Sequence, residues 1–173
     1  VRYTVASPIF DSVDETMLAV LVVSFGIGSA VGTFLLAGVR NDRQKGLILL
    51  TMGISSGISP LLLGFSFDIS MAFAATLIMG ATESVFMALT ATYVQLVTPD
   101  RLRGRVTSLY ILHAGGVMAF TNLGYGYLAD IYNAPNVLIV TGILFLVFFA
   151  GMSFSDPVLK SIYKGKDIST LAS

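Results

Sequence analysis

The sequence of 173 residues contains no cysteine, a single histidine and few charged residues. Without cysteine the chain has no disulfides, no thiolate metal ligands and no cysteine nucleophile. One histidine alone, His113, makes a metal site improbable on composition. The patterns G-x-S-x-G and a phosphate-binding loop are also lacking, and no apolar segment holds two carboxylates. We therefore expect no enzymatic activity, no metal and no cofactor.

The composition is that of a membrane protein. Hydrophobic residues make up 55% of the chain and charged residues only 12%, and the mean hydropathy is +0.84, far above the soluble average. Five apolar segments reach the length of about 20 helical residues that crosses a bilayer core. A soluble helical core would need polar faces, which the run 137–152 lacks. The sequence predicts an all-α, polytopic membrane helix bundle with spans at 16–39, 46–66, 71–97, 105–129 and 136–155.

Basic residues are placed very unevenly between the spans. Five spans put the chain ends on opposite sides of the membrane. If the loop 98–104 is cytoplasmic, nine of the ten basic residues lie inside, as the positive-inside rule requires. We expect an extracytoplasmic segment at 1–15, a cytoplasmic tail at 156–173 and insertion in the plasma (inner) membrane. The nine are Arg40, Arg43, Lys45, Arg101, Arg103, Arg105, Lys160, Lys164 and Lys166, and the tenth is Arg2.

Three of these arginines crowd the loop before the fourth span, in the stretch "RLRGR" at 101–105. Such arginines hold a loop in the cytosol, beside anionic lipid headgroups. A nucleic-acid patch is the rival interpretation, but no aromatic or further basic surface accompanies the stretch. We expect the lipid bilayer, and no nucleic acid, as a partner.

Small residues recur at four-residue spacing in the first three spans. Such rows let helix backbones approach closely, on which packing within hydrocarbon depends. They indicate a packed bundle and leave its activity open. The rows are Ser24, Gly28 and Gly32; Gly53 and Gly57; and Gly80, Ser84 and Ala88.

One acidic residue, Glu83, lies deep inside a predicted span, roughly 20 Å from either end of the third. Thr76, Glu83 and Thr90 are seven residues apart and share one helix face to within about 20° per heptad. A carboxylate at this depth marks a substrate or proton pathway by default. The alternative is a protonated glutamate that hydrogen-bonds a neighbouring helix and serves packing alone.

The fourth span carries two further polar candidates, His113 and Asn122. They are nine residues apart, which sets them on opposite faces of a regular helix, so only one is expected to face a cavity. His113 lies about 12 Å from the cytoplasmic end, where an imidazole could pass a proton onward. The alternative is a neutral histidine bonded to a helix neighbour.

Two loops resemble those of a known family. The segment "PDRLRGRVTSLY", followed by "GYGYLAD", resembles the connection between the tenth and eleventh helices of the major facilitator superfamily. It looks most like the efflux branch that includes enterobactin exporters and macrolide-efflux proteins. Gly38, Asp42 and Arg43 match the superfamily's G-x-x-x-D-R loop, although residues 44–46 depart from the fuller pattern. The resemblance covers roughly 16–155.

The resemblance implies that the chain holds five of the six helices of a carboxyl-terminal half, the eighth through the twelfth. Transport in this superfamily requires two six-helix halves around a midplane site. The seventh helix and the amino-terminal half would then be missing partners, and an intact five-helix protein is the alternative. By resemblance the third span lines the cavity, and the two loops latch a cytoplasmic gate. The gate residues would be Gly38, Asp42, Arg43, Asp100, Arg103, Gly104 and Arg105.

The function expected on these grounds is secondary active transport, with export of a small siderophore- or drug-like molecule in exchange for protons. An uptake permease is one alternative. A non-transporting membrane scaffold is another, and it would need no titratable group at the midplane. The candidate residues for substrate binding or proton coupling are Glu83, Thr76, Thr90, His113 and Asn122.

Overall fold

A computed structural model describes residues 14–39 and 41–155, and these are helical without a strand. The expectations for 1–13, Arg40 and 156–173 lie outside the described residues. The fourth apolar segment is one continuous span, Arg103–Tyr132, made of two α-helices joined by a π-helix. The helices are α1, Glu15–Ala37; α2, Asp42–Gly64; α3, Ile69–Val97; α4, Arg103–Leu112; the π-helix, His113–Val117; α5, Met118–Tyr132; and α6, Ala134–Ser155.

The all-α membrane bundle predicted from hydropathy is confirmed, because five helices in the described part are long and apolar enough to cross a membrane. Two of the helices, α1 and α3, begin where an aspartate side chain supplies a cap. Asp14 accepts a hydrogen bond from the Thr16 N–H, 2.6 Å away, and Asp68 accepts one from the Ile69 N–H at 2.8 Å. These aspartates satisfy backbone donors that a helix start leaves unpaired. The caps also mark the membrane boundary, because they keep charge at the ends of the apolar segments.

The tightest contact joins α1 to α3 along the predicted rows of small residues. A Cβ added to Gly28 would lie 2.0 Å from the Leu77 carbonyl oxygen, and one added to Gly80 would lie 2.1 Å from that of Phe25. Each backbone therefore occupies the space that a side chain would take on the other helix. Hydrogen bonds cross the same contact, and Ser84 Oγ donates to the Ser29 carbonyl at 3.1 Å.

A second close contact joins α2 to α6. The Phe149 ring covers Gly53, Leu146 covers Gly57, and an added Cβ would meet each of these side chains within 2.6 Å. Within α2, Pro60 has no N–H for the Ser56 carbonyl. The Ser59 hydroxyl donates to the Ser55 carbonyl at 2.8 Å and reaches that of Ser56 at 3.5 Å, so the proline stays within a continuous helix.

The fourth span is held far more loosely than the others. Neither α4 nor α5 contains a buried residue. In the described part of the chain, α4 touches α3, and α5 touches α6 after a turn at Asn133, whose φ is 67°. The bundle thus combines four tightly packed helices with a fifth span that contacts them near its two ends.

Candidate functional site

A cavity with a volume of about 690 Å³ lies between the fourth span and the rest of the bundle. All five spans contribute to its wall. α3 supplies the floor, the fourth span lies opposite, and α1, α2 and α6 close the sides. Most of the wall is apolar, and a few polar groups converge on it, as in small-molecule sites generally. The polar and titratable lining residues are Ser56, Glu83, Thr90, Tyr110, His113, Thr121, Asn122, Tyr125 and Thr141.

Glu83 lines this cavity from the middle of α3. It is the fifteenth of the 29 residues of that helix, and its side chain is half-buried. No described residue gives it a hydrogen bond or an ion pair. The interpretation of Glu83 as a packing contact required a hydrogen bond to a neighbouring helix, and the described part of the chain supplies none. The carboxyl group is instead open to whatever enters the cavity.

Thr90 shares the cavity with Glu83, but Thr76 does not. The Thr76 hydroxyl lies 2.7 Å from that of Ser24 on α1, and both residues are buried. The expectation of one polar stripe along the whole face is therefore wrong at its first member. Two heptads rotate an α-helix by about 40° between Thr76 and Thr90. At Thr76 the face of α3 is covered by α1. Thr76 links two helices, whereas Thr90 faces the site.

His113 and Asn122 both line the cavity, contrary to the expectation that only one of them would. The reason is the π-helix that begins at His113, which absorbs one extra residue between them. In a regular α-helix they would be about 180° apart, and removing one residue from the count brings them to about 80°. The same one-residue shift brings all the cavity-lining residues of this span within an arc of about 120° around the helix axis. In a regular α-helix they would spread over about 180°.

Several residues of the site were missed by sequence reasoning. The Tyr110 hydroxyl donates to the Met87 carbonyl at 3.3 Å and so joins α4 to α3 beside the cavity. Tyr125 and Phe86 line the wall as well. A signal for the tyrosines was present, because lining residues repeat at i, i+3, i+4 and i+7 from Tyr110 and again from Met118. The two patterns are out of register by one residue between 117 and 118. They lie on one helix face only if the helix accommodates an extra residue there.

The residues proposed for a cytoplasmic gate lie at helix starts. Asp42 and Arg43 are the first two residues of α2, and Gly38 caps the end of α1. Arg103 is the first residue of α4, and its guanidinium pairs with Asp100 at 2.6 Å, with both side chains more than half exposed. This is a local contact within the loop rather than a contact to a neighbouring helix. The gating role of the loops stays a prediction.

Comparison with known proteins bears directly on this architecture. The sequence matches the family model described as Major Facilitator Superfamily over residues 3–166. The chain belongs to the major facilitator superfamily. No curated protein and no solved structure matches it significantly.

As a member of the major facilitator superfamily, the chain is an integral membrane protein of a transporter family that handles small-molecule substrates. Substrate sites in such transporters lie near the bilayer midplane. The cavity, with Glu83 at the midpoint of α3, has the position that this function needs. The cavity between the fourth span and α3 is therefore the candidate substrate site of this chain.

Proposed function

We propose that the chain is most of the carboxyl-terminal half of a secondary transporter of the efflux branch, and that it exports a small organic molecule in exchange for protons. The observation that carries the proposal is Glu83, a carboxyl group at the midpoint of α3 that lines the cavity and has no partner among the described residues. Its functional partner is the missing amino-terminal half, because two halves form the midplane site. "The complete transporter" below means this chain joined to that half.

Proton exchange at Glu83 follows from the cost of charge in hydrocarbon. An ionised carboxylate near the midplane is stable only beside water or a cationic group, so Glu83 carries its proton while the cavity is closed. It releases the proton when the cavity opens to a compartment of lower proton concentration. Rocking of the two halves then couples proton movement to substrate movement. His113 and Asn122 line the same cavity and can relay a proton or hold a substrate.

Replacing Glu83 with Gln in the complete transporter tests this function. The amide keeps the shape of the side chain but does not titrate, so we expect pH-driven export to stop. Glu83→Asp should keep partial activity with a displaced pH optimum. The measurement is substrate efflux from proteoliposomes with and without an imposed pH gradient, and the gradient direction that drives flux separates export from uptake.

Thr76→Val provides the matched control for this experiment. Thr76 lies one heptad before Glu83, but its hydroxyl bonds Ser24 outside the cavity. The variant should lose about 0.6 kcal/mol of helix packing and keep the full response to the pH gradient. If Glu83→Gln responds to the gradient as strongly as wild type, Glu83 does not couple protons, and the proposal fails.

We further propose an extracytoplasmic amino end and a cytoplasmic carboxyl end, on the basis of the nine-to-one basic asymmetry. The natural absence of cysteine makes single-cysteine labelling clean. Leu102, in the loop before α4, and Tyr132, at the end of α5, are exposed positions at opposite ends of the fourth span. With an impermeant maleimide on intact cells, Tyr132→Cys should label at once and Leu102→Cys only after permeabilisation. The reverse labelling pattern would show that the chain has the opposite orientation in the membrane.

A further inference from the structure

The charges that face the cavity are unbalanced. Among the described residues, Glu83 is the one acidic residue in its wall, and no Lys or Arg lines it. In the described part of the chain, Lys and Arg occur only in the loop before α4 and in the first turns of α2 and α4, so the middle of no span supplies one. A buried carboxylate is stable in its ionised form only when it is paired. An ionised Glu83 therefore finds no permanently cationic partner among the described residues of its cavity.

The wall around Glu83 is rich in groups that suit a large, soft ligand. Phe86 lies one turn further along α3, and its ring packs edge-on against Phe145 of α6, with centroids 6.2 Å apart and planes at 83°. Tyr110 and Tyr125 add two rings from the fourth span. Aromatic rings attract cations, and methionines adapt to ligands of irregular shape. The methionines in the wall are Met79, Met87 and Met118.

Among the described residues, the other titratable groups that line the cavity with Glu83 all belong to the fourth span. They are the His113 imidazole and the phenols of Tyr110 and Tyr125, while α1, α2 and α6 contribute none. Phenol and imidazole groups donate or accept hydrogen bonds, and neither brings the permanent positive charge of Lys or Arg. The wall thus offers one negative charge, several rings and no fixed positive charge.

We propose that the transported molecule is a lipophilic organic cation, with Glu83 as its counter-ion and the surrounding rings as its apolar contacts. This inference rests on the proposed function and narrows its substrate from siderophore- or drug-like molecules to positively charged ones. A proton and the cation then occupy the same carboxylate in turn. The carboxylate must release the proton before it binds the cation, and the cation before it binds the proton. The proton flux and the cation flux are therefore coupled.

The test is equilibrium binding to the purified complete transporter, without any pH gradient, at about pH 8, where an ordinary imidazole is uncharged. The probes are tetraphenylphosphonium and tetraphenylborate, which have nearly the same shape and opposite charge. We expect Glu83→Gln to weaken phosphonium binding by about tenfold or more and to leave borate binding unchanged or tighter. Glu83→Asp keeps the charge and should retain phosphonium binding, which controls for folding together with monodisperse elution.

The results test the substrate class and the proton coupling separately. Phosphonium affinity that is the same in wild type and Glu83→Gln, or borate bound as tightly as phosphonium by the wild type, overturns the cation proposal. If Glu83→Gln also stops pH-driven export of another substrate, the proposed function stands without the cation class. Phosphonium binding that depends on Glu83, in a protein whose transport ignores the pH gradient, supports the cation class and removes the proton coupling.

Discussion

Deleting Gly124 from the complete transporter should lower its affinity for substrate by about tenfold or more, whereas deleting Gly115, nine residues earlier in the same span, should leave that affinity within a few-fold of wild type. The two deletions are matched. Both remove a glycine from the fourth span, and a Cβ at either position would meet nothing within 4 Å. They differ in their relation to the π-helix His113–Val117, which contains Gly115 and lies before Gly124.

The different outcomes follow from helix phase. A π-helix holds one residue more than the α-helix it interrupts, so deleting Gly115 leaves a regular helix with the downstream side chains in place. Deleting Gly124 turns Tyr125 by about 100° or, if the π-helix absorbs the change, turns Thr121 and Asn122 by that amount. In either case polar side chains leave the cavity. Losing two hydrogen bonds to a ligand at about 1 kcal/mol each lowers affinity by about tenfold or more.

Substrate binding and pH-driven flux, measured on equal amounts of folded protein, distinguish the two deletions. Monodisperse elution in detergent establishes that both variants fold. Equal loss of binding in the two variants would contradict the role of the π-helix in aligning His113 with Asn122. Equal retention would mean that the polar side chains of α5 contribute nothing to the ligand.

Gly80→Ala should destabilise the folded bundle by about 1–3 kcal/mol, the usual cost of overpacking. The added Cβ would lie 2.1 Å from the Phe25 carbonyl oxygen, and the atom it meets is backbone, so no side chain can rotate away. The double variant Gly28→Ala, Gly80→Ala should lose more, because the two added groups press on the same pair of helices. The measurement is the midpoint temperature of aggregation in detergent, read by size-exclusion chromatography.

Gly26→Ala is the control for that experiment. Gly26 lies on α1, two residues from Gly28, but a Cβ there meets nothing within 4 Å. Replacing an open helical glycine removes backbone freedom from the unfolded chain, so stability should stay level or rise slightly. A midpoint for Gly80→Ala equal to that of Gly26→Ala would show that the α1–α3 contact is looser than these distances indicate.

The sequence predicted the features of the bundle that depend on composition along one helix. The five spans follow from apolar length alone, since a bilayer accepts little else. Gly28 and Gly80 indicated close packing, because only a missing side chain lets two backbones meet. The depth of Glu83 was predictable for the same reason, because distance along an α-helix is proportional to residue number.

Features that depend on how helices meet could not be predicted. Heptad spacing shows that Thr76 and Glu83 share a face, but whether a stretch of that face meets a cavity or another helix depends on where α1 crosses. The joint placement of His113 and Asn122 needed a π-helix, and periodicity analysis assumes a constant turn per residue. The same assumption explains why Tyr110 and Tyr125 were not predicted to line the cavity.

The contact between α2 and α6 has a consequence for the order in which the protein is made. A chain emerges from the ribosome amino end first, so α2 enters the bilayer while α6 is still unsynthesised. The shallow surface left by Gly53 and Gly57 is then covered only by acyl chains, which fill the place that Phe149 and Leu146 later take. Packing of α6 against α2 is therefore an exchange, in which acyl chains leave the glycines of α2 as the side chains of α6 arrive.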